Sequence, residues 1–183
     1  QRSVLADNAL KRGHQRVAYH YEPAARLGGD WFYLLEHPES DRLLVVVGDV
    51  TGQGLAQGLV TTAAKGALDV IQALARTRPG ALALSPANVV GLLETVIRRV
   101  VGSNGLMMTC LAAEVDFARR ELRICNAGHT FPILVHPGAA EDGANEVSYL
   151  DKDQQSFLGG GTTAFVEATY PLAEGDMIVV YSD

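Results

Sequence analysis

Apolar and polar residues alternate through "RVAYHYEPA", the period of a strand with one buried face. "DWFYLLEH" and "RLLVVVGDV" follow, separated by the turn signal "PESD", and predict a hairpin. Its second arm is apolar throughout, the pattern of a strand buried on both faces. From Gly54 to about Arg76 there is no proline and much alanine and leucine. Leu55, Leu59, Ala63, Leu68 and Ile71 fall near helical spacing there. After the loop "TRPGALAL", Ser85 suits an N-cap and Pro86 a first helical position, opening a second helix to about Val101. Beyond "GSNG" the period returns to two. "MMTCLAAEVDF", "ELRICNAG" and "FPILVHP" predict three strands, and "TAFVEATYPL" and "DMIVVYS" two more after the polar loop "GAAEDGANE". Strands, two helices, then strands is not the alternation of a doubly wound sheet. It predicts an α+β fold with antiparallel sheets covered by helices.

No internal repeat or low-complexity linker interrupts the 183 residues, so one domain with a sizeable core is expected. Residues 1–13 are polar with helical character and are expected to be the end of an upstream connector, leaving 14–183 as the domain. The chain begins at Gln1 and stops just past an apolar strand, so a fragment of a longer chain, cut at both ends, is expected. A net charge of −6 disfavours a nucleic-acid partner, since phosphate backbones are held by basic patches. No apolar run has the length of a membrane span, and no signal-peptide pattern opens the chain. Cys110 and Cys125 lie in apolar runs without metal-ligand spacing, which suits reduced core residues in a cytoplasmic setting.

The chemistry concentrates in "VVVGDVTGQGLAQGL", residues 45–59. An apolar strand ends at Asp49, and Gly52, Gly54 and Gly58 lead into a helix. Leu55 and Ala56 follow Gly54, so the lysine and hydroxyl of a Walker loop are missing, and the glycine spacing misses the dinucleotide fingerprint by one position. An aspartate here suits a hard cation, which in turn could receive a phosphate that no lysine holds. Asp30 in "LGGDW" and Asp183 after "MIVVYS" also stand at strand ends. Each alone reads as a turn aspartate capping local backbone. Three beside such apolar strands favour a shared cation, because clustered carboxylates repel one another.

"GGDW", "GDVTGQG", "NAGH" and the terminal "YSD" resemble, in order, the motifs of the SpoIIE-like branch of bacterial metal-dependent serine/threonine protein phosphatases, the PPM family. The resemblance runs from about Val17 to Asp183. It implies a four-layer α-β-β-α sandwich of two antiparallel sheets flanked by helix pairs, truncated here at its C-terminus. It also implies two Mn²⁺ or Mg²⁺ ions at the sheet rim and direct attack of a metal-activated water on phosphoserine or phosphothreonine. By resemblance, Asp49 bridges both metals, the Val50 carbonyl is a backbone ligand, and Asp30 and Asp183 are further acids of the site. Gly52, Gln53 and Gly54 stand beside it. His129 of "NAGH" is structural or near the site, since a neutral histidine can bond backbone at a tight turn. The implied substrate is a phosphorylated regulatory protein of the anti-sigma-antagonist kind, and the implied role is the output module of a signalling protein. Helices 54–76 and 86–101 are expected to switch activity and to offer a homodimer surface.

Three departures from the pattern stand out. The chain stops before the "GVTE" continuation and a further metal-binding aspartate. Tyr33 stands where "GGDFYD" carries an acid, and Gln53 where lysine or histidine is common. Tyr33 and the missing C-terminus sustain the alternative of a pseudophosphatase that binds a partner without turnover, and Gln53 bears on phosphate contacts. His14, His20, His37 and His136 have no ligand spacing, Met107 and Met108 read as core, and Trp31 as a buried residue of the first hairpin. Arg98-Arg99 and Arg119-Arg120 read as solvated pairs.

Overall fold

The computed structural model describes residues 9–12, 15–21, 28–36, 40–78, 80, 84–102, 105–140 and 143–182. Strand β1 (Ala9–Arg12) pairs antiparallel with β2 (Gln15–Ala18). Residues 9–12 therefore extend, where a helical connector was expected. Their backbone groups are satisfied by a neighbouring strand instead of by helical bonds. The rest of that expectation, residues 1–8 and 13, lies outside the described residues.

A five-stranded antiparallel sheet forms the centre, in the order β3 (Trp31–Glu36), β4 (Arg42–Val50), β5 (Met108–Asp116), β6 (Glu121–Ala127) and β9 (Ala168–Pro171). A three-stranded antiparallel sheet has the order β10 (Met177–Val179), β7 (Ile133–His136) and β8 (Glu146–Tyr149). β8 lies where the sequence suggested only loop and an unassigned "VSYL". Helices α1 (Leu55–Thr77) and α2 (Pro86–Val101) cover one face of the large sheet, α1 over β3 and β4, α2 over β5 and β6. The architecture is thus α+β with two main antiparallel sheets. Among the described residues a single helix pair flanks them, against the large sheet.

Two cores follow. The first joins Trp31, Leu35, Leu44, Val46, Val50, Met108, Cys110 and Cys125 on the sheet to Val60, Ala64, Leu68, Ile71, Val89, Val90, Leu93 and Ile97 on the helices. The second lies on the opposite face, where Leu111, Ala113, Leu122 and Ile124 meet Leu134, Leu150 and Tyr170. Strand alternation sends neighbouring side chains of β5 and β6 into different cores. β4 is fully buried only on its helix side: Val45 and Val47 are half-covered. The buried row of α1 starts at Val60, so Leu55 (71% exposed) and Leu59 (57%) of the expected stripe face solvent. Ser85 caps α2 as expected, its Oγ accepting from the Asn88 N–H at 3.4 Å.

Polar groups tie the layers together. Glu114, fully buried in β5, is ion-paired with Arg123 of β6 and lies 3.7 Å from Arg42 of β4. Arg123 also reaches Glu167 at 3.2 Å, and Glu167 accepts from the Ala87 N–H at the start of α2. Glu94 of α2, also buried, accepts from the backbone of Gly159 at 2.6 Å and Gly161 at 2.7 Å. Both cysteines are free and buried. Burial pushes the Cys125 thiol up to about 12 and the Cys110 thiol higher, so both stay protonated.

Candidate active site

The site grows from the end of β4. Gly48 lies opposite Trp31 in the β3–β4 register, and a Cβ there would stand 2.6 Å from the indole. Glycine at that position lets Trp31 lie flat over the strand and enter the helix-side core. The next residue, Asp49, points the other way, on the face of Val45 and Val47, opposite Thr109 of β5. The chain then turns. Thr51 and Met107 exchange backbone and hydroxyl bonds: Thr51 N–H donates to the Met107 carbonyl at 2.9 Å, and Met107 N–H to Thr51 Oγ1 at 2.9 Å. Gly52 (φ 98°) and Gly54 (φ 75°) take left-handed conformations that favour glycine, and Gly54 ends the turn as N-cap of α1. Gln53 is exposed between them.

The segment before β3 folds back onto this turn. Val50 N–H donates to the Gly29 carbonyl at 3.3 Å. A Cβ on Gly29 would lie 2.6 Å from Asp49 Oδ1, with the Val50 carbonyl oxygen and Gln57 Nε2 closer still. The missing side chain therefore lets a carboxylate oxygen, a carbonyl oxygen and the Gln57 amide pack closely against the Gly29 backbone. Gln57, in the first turn of α1, donates from Nε2 to the Val50 carbonyl at 2.7 Å. The Tyr21 hydroxyl donates to the Asp30 carbonyl at 3.1 Å, and Ser182 Oγ donates to the Asp30 carboxylate. Burial, then the Asp30 charge, raises the Tyr21 pKa, so this hydroxyl keeps its proton.

Asp49, the Val50 carbonyl and the Asp30 turn are thus brought together from two strand ends 19 residues apart. Asp183 lies outside the described residues, one residue beyond Ser182. Among the described residues no three acids, histidines or cysteines form a metal-binding group. The converging donors are all hard oxygens, the set that suits Mg²⁺ or Mn²⁺.

His129 supports the site from behind. It is buried, and its backbone N–H donates to Asn126 Oδ1 at 2.8 Å. Its carbonyl accepts from Asn126 Nδ2 at 3.1 Å and Gln154 Nε2 at 2.9 Å. Its Nδ1 shares a hydrogen with Thr109 Oγ1 at 2.9 Å, and Thr109 is the cross-strand neighbour of Asp49. "NAGH" is therefore a tight turn locked by its own side chains, one residue removed from Asp49. Tyr33 lies on the helix-facing side of β3, where its hydroxyl donates to Asp69 of α1 at 2.6 Å. Trp31 is buried in the core as expected. His136 contacts Asp176 at 2.7 Å, away from Asp49 on the small sheet. His14 and His37 fall outside the described residues. Gln57 and Ser182 escaped the sequence analysis: one reaches back from a helix to a strand end and the other across 152 residues, and neither contact leaves a periodic trace.

Solved structures carry the same arrangement of strands and helices. The structure of the RsbU and RsbW domains of Rv1364c from Mycobacterium tuberculosis is 30% identical, with a TM-score of 0.66 over 87% of this chain and 40% of that one. The SiaA-PP2C domain of Pseudomonas aeruginosa is 25% identical, with a TM-score of 0.64 over 85% of this chain and 56% of its own. RsbX in complex with magnesium shares the fold at 19% identity and a TM-score of 0.54. This chain spans less than two thirds of the length of the first two. The family model for stage II sporulation protein E matches residues 39–183, and with the PP2C-type fold it places this chain in the SpoIIE family of bacterial phosphatase domains.

Proposed function

We propose that this domain removes phosphate from phosphoserine or phosphothreonine on a regulatory protein, using Mn²⁺ or Mg²⁺, as the cytoplasmic output module of a signalling protein. The observation that carries the reading is the close approach of Asp49 Oδ1 and the Val50 carbonyl to the backbone of Gly29, with Asp30 next in the chain. Asp49, Asp30 and the Val50 carbonyl would hold the cations, joined by Asp183. A divalent cation held there would lower the pKa of a coordinated water and neutralise phosphoryl charge. Asp49 is positioned by β4, whose pairing with β5 fixes its backbone, and Asp30 by Ser182 and Tyr21. Relatives of known structure support the chemistry and the kind of partner: one is a magnesium complex, and one joins an RsbU to an RsbW domain. The substrate by this reading is a phosphorylated protein of the anti-sigma-antagonist kind. Helices α1 and α2 offer a homodimer surface, with Leu55, Leu59, Val70, Leu92 and Val100 exposed along them.

Phosphate release from a phosphoserine protein or peptide, with and without Mn²⁺, tests the reading on the full-length protein. Metal-dependent release that Asp49→Asn abolishes is expected. Absence of release from the folded protein at every metal concentration would leave a partner-binding domain as the better account.

A further inference from the structure

The two edges of the large sheet are built differently. An edge strand shows unpaired backbone N–H and C=O groups to any other chain, and folds blunt it with brevity, proline, lysine or a bulge. β9 is a blunted edge, four residues ending at Pro171. β3, at the other edge, is six residues, "WFYLLE", without proline, lysine or a break in its register with β4. Among the described residues no strand pairs with its outer side. The strand is held on both faces: Trp31 and Leu35 are buried in the helix-side core, and the Tyr19 ring packs on Phe32 with centroids 4.7 Å apart.

A cavity of about 490 Å³ opens along that outer side. It touches both Tyr33 and Leu34, which point to opposite faces, so it lies at the edge of the strand and not over one face. Its other wall is one stripe of α1, formed by Asp69, Gln72, Ala73, Arg76 and Thr77. Charge on this wall is unbalanced. Asp69 already accepts from the Tyr33 hydroxyl and has Lys65 beside it. Arg76 enters no ion pair among the described residues. We propose that this groove docks an extended segment of a partner protein, which pairs with β3 as a sixth strand and sets an acidic side chain against Arg76. Main-chain bonds to the edge supply affinity, and the α1 wall selects the side chain. The groove is walled by α1 and Asp49 projects from the opposite face, so docking there does not depend on the metal-dependent reading.

Fluorescence anisotropy on the full-length protein tests this with a labelled nonapeptide that alternates valine and threonine around a central glutamate. One companion carries lysine at the centre. Two others keep the glutamate and are N-methylated at alternate amides, one in each phase. The glutamate peptide is expected to bind saturably, about three- to tenfold more tightly than the lysine peptide, the factor for exchanging an exposed attraction for a repulsion. Arg76→Glu, a change at an exposed position whose fold circular dichroism checks, should reverse that preference. One phase of methylation should abolish binding, because it blocks the donors that face β3. No saturable binding of the glutamate peptide, a preference that Arg76→Glu leaves unchanged, or binding that neither methylated form loses overturns the proposal. Sedimentation of the same samples tests the other occupant. A dimer that excludes the peptide assigns the edge to a second copy of this chain and overturns it as well.

Discussion

Two glycines precede Asp30, and the fold sets them unequal tasks. A Cβ on Gly28 would meet only the Tyr21 hydroxyl, at 3.4 Å, an ordinary contact. A Cβ on Gly29 would meet Asp49 Oδ1 at 2.6 Å and the Val50 oxygen and Gln57 amide at less. Neither glycine has a positive φ, so the difference is one of space and not of backbone strain. Comfortable carbon–oxygen packing requires a shift of roughly 1 Å in Gly29→Ala. Gln57 can swing away, but the Val50 carbonyl belongs to a paired strand and Asp49 follows it. Such overpacking costs about 1–3 kcal/mol, and at this chain length each kcal/mol lowers Tm by about 2–4 °C. A functional loss accompanies it, since a misplacement of about 1 Å at a reacting centre costs on the order of a hundredfold in rate. Gly29→Ala should therefore fold with a moderately lower Tm and lose about a hundredfold of metal-dependent phosphate release. Gly28→Ala should stay within about 0.5 kcal/mol of wild type and keep its rate. Differential scanning fluorimetry and phosphate release on the full-length protein measure both. Wild-type release from Gly29→Ala, or equal damage in the two variants, would refute the close approach of Gly29 to Asp49.

Two further expectations concern the frame. Glu114→Ala removes the buried anion between Arg42 and Arg123. Because those arginines are 33% and 26% exposed and can reach water, the cost should fall at the low end of the range for a broken buried pair, about 3 kcal/mol by urea unfolding. A loss below about 1 kcal/mol would mean that the pair contributes no more than a surface contact. Burial, then the bond to Asp69, pushes Tyr33 up to about 12 from 10.0. A phenol raised in the folded state stabilises fully below pH 10 and loses that contribution as pH climbs to 12. The Tm of wild type should fall more steeply across that window than that of Tyr33→Phe, and parallel curves would contradict it.

The two helices and most strands of the large sheet are legible in the chain, because their side chains keep one period against one partner layer. Ser85 and Pro86 mark the start of α2 by local chemistry alone. The failures share a physical cause. α1 carries two apolar rows, one from Val60 that packs on the sheet and one through Leu55, Leu59 and Val70 that faces solvent, and helical spacing fits both. β8 is four residues of an exposed strand with little burial to pattern it. Residues 9–12 join a strand because of a partner, not because of propensity. At the site, Asp49 and Asp30 stand out as acids at strand ends. Their meeting depends on the absent side chain of Gly29, which no local pattern distinguishes from Gly28. Glu114 had a readable signal, an acid within the apolar run "CLAAEV" with an arginine in the next strand.

The substitution that weighs most toward a binding-only domain is Tyr33, where the family pattern carries an acid. Its position in the fold answers much of that concern. Tyr33 pairs with Val46 and shares the helix-facing side of β3 with Trp31 and Leu35, whereas Asp49 projects from the opposite face of the sheet. The phenol bonds to Asp69, so the acid at this seam is supplied by α1 instead of β3. The exchange leaves the group formed by Asp49, the Val50 carbonyl and Asp30 with every donor it had. Tyr33→Asp, which brings back the residue type of the pattern, should then set two carboxylates against each other across the β3–α1 seam. The lost hydrogen bond and the added repulsion amount to about 1 kcal/mol, or about 2–4 °C in Tm. No gain in phosphate release should accompany that loss of stability. A variant that hydrolyses phosphoserine faster than wild type would place position 33 within the working site and restore Tyr33 as grounds for an inactive domain.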